Sequence, residues 1–191
     1  PPLFTVDQLT SQLNLGRQSL SRYLEGPGLL INRRGILRVL VNEVGLNCDV
    51  SGTDGKPWIT FSHALCNNLT LWDDQVELLK NDFRILRYDH RGLGQSDAPQ
   101  GPYTFPMIMA DAIGLLDYFG IEKTHWCGLS IGGMMGYGLC QDYPNRISSL
   151  IACDSRPDAP PDYQDYFQHR IDVAAAEGME AVSYTHLTLP T

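Results

Sequence analysis

Gly128-Leu129-Ser130-Ile131-Gly132 fits the pattern G-x-S-x-G. A serine between two glycines, placed where a strand runs into a helix, is an arrangement for nucleophilic attack on a carbonyl carbon. The sharp turn lifts Ser130 Oγ out at the carboxyl edge of a sheet. Glycines flank it because strand and helix atoms crowd the turn. The following helix directs its N-terminus at the same place, which favours developing negative charge. In a chain with 18 glycines the five-residue pattern alone discriminates poorly. Its flanks decide the matter: Thr124–Cys127 is β-rich and Gly133–Cys140 has helical character.

The elements needed to position such a turn can be read along the chain. Leu37–Val50 is β-rich, with a turn at Asn42–Gly45. Ser51–Pro57 is a turn cluster. Trp58–Ser62 reads as a short apolar strand, Leu71–Leu79 as a helix and Phe83–Tyr88 as a strand. Phe105–Phe119 carries Met109, Ile113 and Leu116 at helical spacing. Thr124–Leu129, Ile131–Cys140 and Ile147–Cys153 read as strand, helix and strand. Strands separated by helices of this length imply a mostly parallel sheet with helices on both faces, an α/β fold.

Composition narrows the function classes. The 191 residues carry a net charge of −8, which argues against a protein that coats nucleic acid or anionic membrane. No run of 18 apolar residues is present, so no membrane span is expected. No secretion signal is visible, and a cytoplasmic location is expected. The five cysteines, Cys48, Cys66, Cys127, Cys140 and Cys153, have no zinc-type spacing. They read as small buried hydrophobes in a reducing compartment, and no metal or cofactor is implied.

Charge is uneven. Residues 1–40 carry +3, and the remainder carries −11. Within the basic head, Val6–Leu13 and Arg17–Leu24 read as two short helices joined by Asn14-Leu15-Gly16. LNLGRQSLSRYL resembles the turn and recognition helix of bacterial helix-turn-helix regulators. That resemblance would make Gln18, Ser19 and Arg22 the DNA readers. Leu29–Ile31 and Ile36–Val41 could then form the hairpin of a winged-helix head over residues 1–36, its Arg33 and Arg34 meeting phosphate. The competing readings are an ordinary pair of Leu-rich helices, or upstream sequence translated by accident.

Three further stretches accompany the serine turn and its flanks, HWCGLSIGGMMGYGLC: SHALCNNLTLWDDQ, FRILRYDHRGLGQSDAPQGPYT and RISSLIACDSRPDAP. Together they resemble the α/β-hydrolases, and among them the 3-oxoadipate enol-lactonases, over Leu37–Val182. The resemblance implies an α/β-hydrolase fold and cofactor-free hydrolysis of a small-molecule carboxylic ester or lactone. Ser130 would attack, and an oxyanion hole would hold the tetrahedral intermediate. By the same resemblance the oxyanion donors are the main-chain N–H groups of Leu65 and Ile131. His63 is then expected to hold its loop rather than carry protons, and Asp89 and Arg91 to brace theirs. Gln168–Val182 resembles the start of the family's lid.

The remaining triad members are less legible. The family's order is Ser, acid, His. After Ser130 only His169, in the lid helix, and His186 remain. Asp154, at the end of Ile147–Cys153, is either the triad acid or a strand-end Asx-turn residue. VSYTHLTLPT resembles the translation of a transposase adapter used in sequencing libraries, so residues 183–191 are expected to be an adapter scar. The expectation is a C-terminally incomplete hydrolase domain over residues 37–182, nearly inactive without its His. The alternative is a DNA-binding regulator with a hydrolase-like sensing body.

Overall fold

The structure is a computed structural model that describes residues 30–31, 37–158 and 162–178. Its strands are β1 (Leu30–Ile31), β2 (Leu37–Val41), β3 (Val44–Gly52), β4 (Trp58–Ser62), β5 (Arg84–Tyr88), β6 (Thr124–Leu129) and β7 (Ile147–Cys153). They form one mixed sheet in the order β1-β2-β3-β5-β4-β6-β7. β5, β4, β6 and β7 make a parallel block, as the strand–helix alternation requires. β3 joins that block antiparallel to β5, and β2 and β1 continue antiparallel.

The antiparallel part needs no crossovers. Asn42 and Glu43 both have positive φ, 50° and 64°, and Val41 pairs with Val44. This is a two-residue hairpin of the type that matches strand twist. The expected turn at Asn42–Gly45 narrows to these two residues, and Gly45 already lies in β3. The segment Ile36–Val41, read above as a hairpin arm, supplies β2. It bonds β1 on one side and β3 on the other, so it is a strand of the main sheet. Gln18, Ser19 and Arg22, and the two helices expected at Val6–Leu13 and Arg17–Leu24, lie outside the described residues.

The strands alternate between two apolar layers, as a period of two demands. Leu86, Tyr88 and Trp126 face one core with Leu115, Leu116, Met135 and Leu139. Those last four come from helices α2 (Phe105–Tyr118) and α3 (Ile131–Asp142). Ile59, Phe61, Ile85 and Cys127 face the other, against Trp72 and Val76. These lie on a 3-10 turn, Leu69–Trp72, and on helix α1 (Asp73–Leu79). The helix expected from Leu71 thus begins as a 3-10 turn capped by the Asn68 side chain, which accepts from Thr70 N. Helix α2 starts where Thr104 accepts from Met107 N and a proline occupies its first turn.

Helix α4 (Asp162–Glu177) lies in a second compact unit that begins at Arg156. It carries the exposed side chains Tyr166, Phe167 and Ile171, and His169 is exposed on it. Among the described residues no helix is long and apolar enough to cross a membrane.

Candidate active site

β6 runs into Ser130 and then directly into α3. Ser130 has φ 52° and ψ −116°, a conformation that costs a non-glycine residue roughly 1–3 kcal/mol. Its surroundings hold it there. Ser130 N donates to Cys153 O of β7 at 2.9 Å, and Met134 N donates to Ser130 O at 2.9 Å. Trp126 Nε1 donates to Gly132 O at 2.9 Å, tying strand to helix across the turn. A Cβ on Gly128 would lie 2.2 Å from the carbonyl of Gly132, and one on Gly132 would lie 2.3 Å from Ser62 O. The two glycines therefore serve close approach, between strand and helix and between helix and β4.

That second contact brings the end of β4 against the nucleophile turn. The chain leaves Ser62, passes His63 and turns over Ala64–Asn67, closed by Asn67 N donating to Ala64 O at 3.2 Å. Cys66 occupies the third position of this turn with φ 61°, where glycine is usual. The expectation that every cysteine is a buried hydrophobe fails at Cys66, which is exposed on the turn. Leu65 and Ile131 both lie at this edge. Among the described residues neither main-chain N–H donates to a protein acceptor. An unmet N–H next to a strained serine is the kind of donor that can stabilise an oxyanion.

His63 is fully buried. Its Nδ1 is 2.8 Å from Ala64 O, and its Nε2 accepts from His90 N at 3.0 Å. A carbonyl only accepts, so the proton sits on Nδ1 and the ring is neutral. His90 stacks on it with ring centroids 4.1 Å apart, and His90 Nε2 is 2.8 Å from Ser62 Oγ. Burial pushes both imidazoles below their ordinary value of 6.5, and for His90 the neighbouring His63 adds to the effect. His63 therefore holds its loop.

A lowered folded value has a definite sign. Below about pH 6.5 the unfolded chain binds protons that buried His63 and His90 refuse. Stability is fully present above that pH and falls as the medium is acidified. The urea midpoint, followed by tryptophan fluorescence, is expected to drop between pH 7.5 and pH 5. A flat midpoint over that range would show that neither ring is held neutral by the fold.

Comparison with known proteins identifies the fold family. The family model described as "alpha/beta hydrolase fold" matches residues 57–182. The chain belongs to the α/β-hydrolase fold family. It is 30% identical over 146 residues to 3-oxoadipate enol-lactonase 2 of Acinetobacter baylyi, covering 76% of this chain and 54% of that protein. Among solved structures, it resembles the enol-lactonase from Burkholderia xenovorans LB400 with TM-score 0.74 and 35% identity, covering 78% of this chain and 58% of that one. It also resembles a hydrolase from Pseudomonas aeruginosa with TM-score 0.76 and 31% identity, covering 82% and 59%. The chain thus spans about half the length of the relatives it matches.

In this α/β-hydrolase-fold chain the loop after β5 is a brace, as the resemblance implied. Asp89 Oδ1 accepts from Leu69 N at 2.7 Å. Its Oδ2 accepts from Asn47 Nδ2 and Gln95 N, each at 2.8 Å. One carboxylate therefore joins β3, the loop and the start of the 3-10 turn behind the Leu65 segment. Gly94 is required because a Cβ there would fall 2.2 Å from Asp89 Oδ2. Arg91 makes a two-pronged pair with Asp111 of α2, both bonds 2.6 Å, and Asn42 Nδ2 adds a third donor at 3.1 Å. The sequence reading missed His90, Asn47 and Asp111. Each acts through a partner at least 20 positions away, and no local pattern marks such a pairing.

Asp154 is exposed, with φ 42°, and directly follows the Cys153 whose carbonyl binds Ser130 N. It therefore lies one residue beyond the strand end that holds the nucleophile turn. His125 Nδ1 is 2.8 Å from Ser149 Oγ across β6 and β7. His63, His90 and His125 are thus each bonded away from Ser130, and His186 lies outside the described residues. Cys127 and Cys153 are both free thiols. Burial, then Cys153, pushes the Cys127 thiol up to about 12, so it is inert as a nucleophile. Among the described residues no group of three metal-ligating side chains converges.

Proposed function

We propose that this chain carries the nucleophile and oxyanion hole of a serine hydrolase acting on a small-molecule carboxylic ester or lactone. The observation that carries the reading is Ser130 held at φ 52° between β6 and α3, followed by Ile131 with its N–H unbonded, where the end of the paired strand β4 leads into the Leu65 segment. Ser130 Oγ attacks the carbonyl carbon and the N–H groups of Leu65 and Ile131 take the developing charge; the acyl C–O bond then breaks, the serine's proton ends on the departing oxygen, and the hydroxyl so formed is released from an ester or stays on the acyl chain of an opened lactone. The enol-lactonases among its relatives favour a lactone or ester over other acyl substrates. Asp154 is our candidate for the acid that orients a base.

His63, His90 and His125 are bonded elsewhere, His169 is exposed on α4 in the second unit and His186 lies outside the described residues, so none of the five is assigned as that base. We therefore expect the 191-residue chain by itself to acylate slowly and to deacylate more slowly still, because both steps need general base or acid help. Incubation with a p-nitrophenyl ester at alkaline pH is expected to leave one acyl group on the peptide containing Ser130. Intact-mass measurement and peptide mapping read it, and Ser130→Ala should abolish it. Acylation spread over lysines and indifferent to that substitution would overturn the nucleophile assignment. Fast turnover lost in Ser130→Ala would overturn the slow-fragment reading and keep the nucleophile.

A further inference from the structure

The two stacked imidazoles behind the Leu65 segment have no part in the chemistry described so far. Their bonding has a direction. His90 N–H donates to His63 Nε2 at 3.0 Å, which leaves that nitrogen unprotonated. The ring's one proton is therefore on Nδ1, and it is donated to Ala64 O at 2.8 Å. Ala64 O belongs to the same peptide unit as Leu65 N–H. A trans peptide is planar, with its C=O and N–H pointing opposite ways. With that carbonyl held by His63 at 2.8 Å and by the turn bond from Asn67 N at 3.2 Å, the Leu65 N–H is aimed to the opposite side.

The rest of the surroundings keep the ring from turning. His90 stacks on His63 at 4.1 Å and reaches Ser62 Oγ through Nε2 at 2.8 Å. Ser62 O in turn backs onto Gly132 of the nucleophile turn, and Ser62 Oγ donates to Met135 Sδ of α3 at 3.8 Å. The pair thus touches the Leu65 peptide directly and reaches the nucleophile turn through Ser62.

We propose that His63 is a positioning residue whose tautomer, set by the His90 main-chain N–H, aims Leu65 N–H at the substrate oxygen. This rests on Leu65 N–H being an oxyanion donor, as proposed above. A hydrogen bond from His63 to Ala64 O also draws electron density toward that carbonyl, which makes the Leu65 N–H a stronger donor. The ring touches no reacting atom.

Nuclear magnetic resonance on the whole chain tests it. Long-range nitrogen–carbon correlations are expected to show His63 protonated on Nδ1 only. Two substitutions separate its bonds. Gln in H63Q can accept from His90 N–H but offers no donor at the Nδ1 position. Asn in H63N retains that donor. H63Q is expected to shift the Leu65 amide resonance and to slow Ser130 acylation by up to about 100-fold, the scale of losing one oxyanion donor. H63N should restore most of both. A His63 protonated on Nε2, or a Leu65 amide indifferent to H63Q, overturns the proposal. No acylation of Ser130 in the unsubstituted chain would overturn the hydrolase reading instead, and the tautomer and the Leu65 resonance would still decide this one.

Discussion

Gly132→Ala is expected to destabilise the protein by about 3 kcal/mol and to abolish acylation of Ser130. Propensity alone predicts the opposite sign. Gly132 is inside α3 at a φ that any residue adopts, and alanine in a helix gains roughly 1 kcal/mol over glycine. Contact decides against it. The added Cβ would meet Ser62 O at 2.3 Å, Ser62 C at 2.7 Å and Ser62 Oγ at 2.8 Å. The first two are backbone atoms of a strand paired on both sides, β5 and β6, so they cannot step aside. Relief requires α3 to move off β4, which releases the strained Ser130 and parts the Ile131 N–H from the Leu65 segment.

Gly120→Ala separates crowding from backbone strain. Gly120 has φ +64° with nothing within 4 Å of an added Cβ, so its substitution carries conformational cost alone, about 1–2 kcal/mol. Urea midpoints of the two variants, with Ser130 acylation read in parallel, make the comparison. A Gly132→Ala protein as stable as its parent would mean that β4 and α3 do not approach as described.

The nucleophile turn was legible because everything that defines it is local. Five residues and their two flanks carry the pattern, and the strand and helix they announce are β6 and α3. The parallel block was legible for the same reason, since each strand is followed by a helix of its own. What supports the site is not local. Asp89 holds Leu69 N and Asn47, and Arg91 holds Asp111, by pairings between segments that the sheet brings together only after folding. Aspartates, arginines and asparagines are common on surfaces, so their residue types alone do not mark these as buried.

Cys66 shows the same limit from the other side. Glycine there would have announced the left-handed turn that shapes the Leu65 segment, and a cysteine gives no such signal. His90 was passed over because it sits between two residues of a familiar loop pattern, while its work is done through Ser62 and His63. The antiparallel pairing of β3 with β5 was likewise invisible, because alternation of apolar residues does not say which neighbour a strand will choose.

Arg91→Ala is expected to cost about 3–5 kcal/mol, the scale of breaking a buried pair by removing one partner. Asp111 and Arg91 have side chains only 2% and 6% exposed. Without the guanidinium the Asp111 carboxylate keeps a single side-chain donor, Asn42 Nδ2, inside the protein. Removing both charges together is milder: Arg91→Met with Asp111→Leu should recover most of the loss, since no uncompensated charge is then buried. The exposed pair Lys80–Glu77, with side chains 44% and 70% exposed, provides the contrast, and Lys80→Ala should change stability little. Urea midpoints of the four proteins distinguish these outcomes. Equal losses in Arg91→Ala and in the double variant would mean that packing of the long arginine stem, not its charge, ties the loop after β5 to α2.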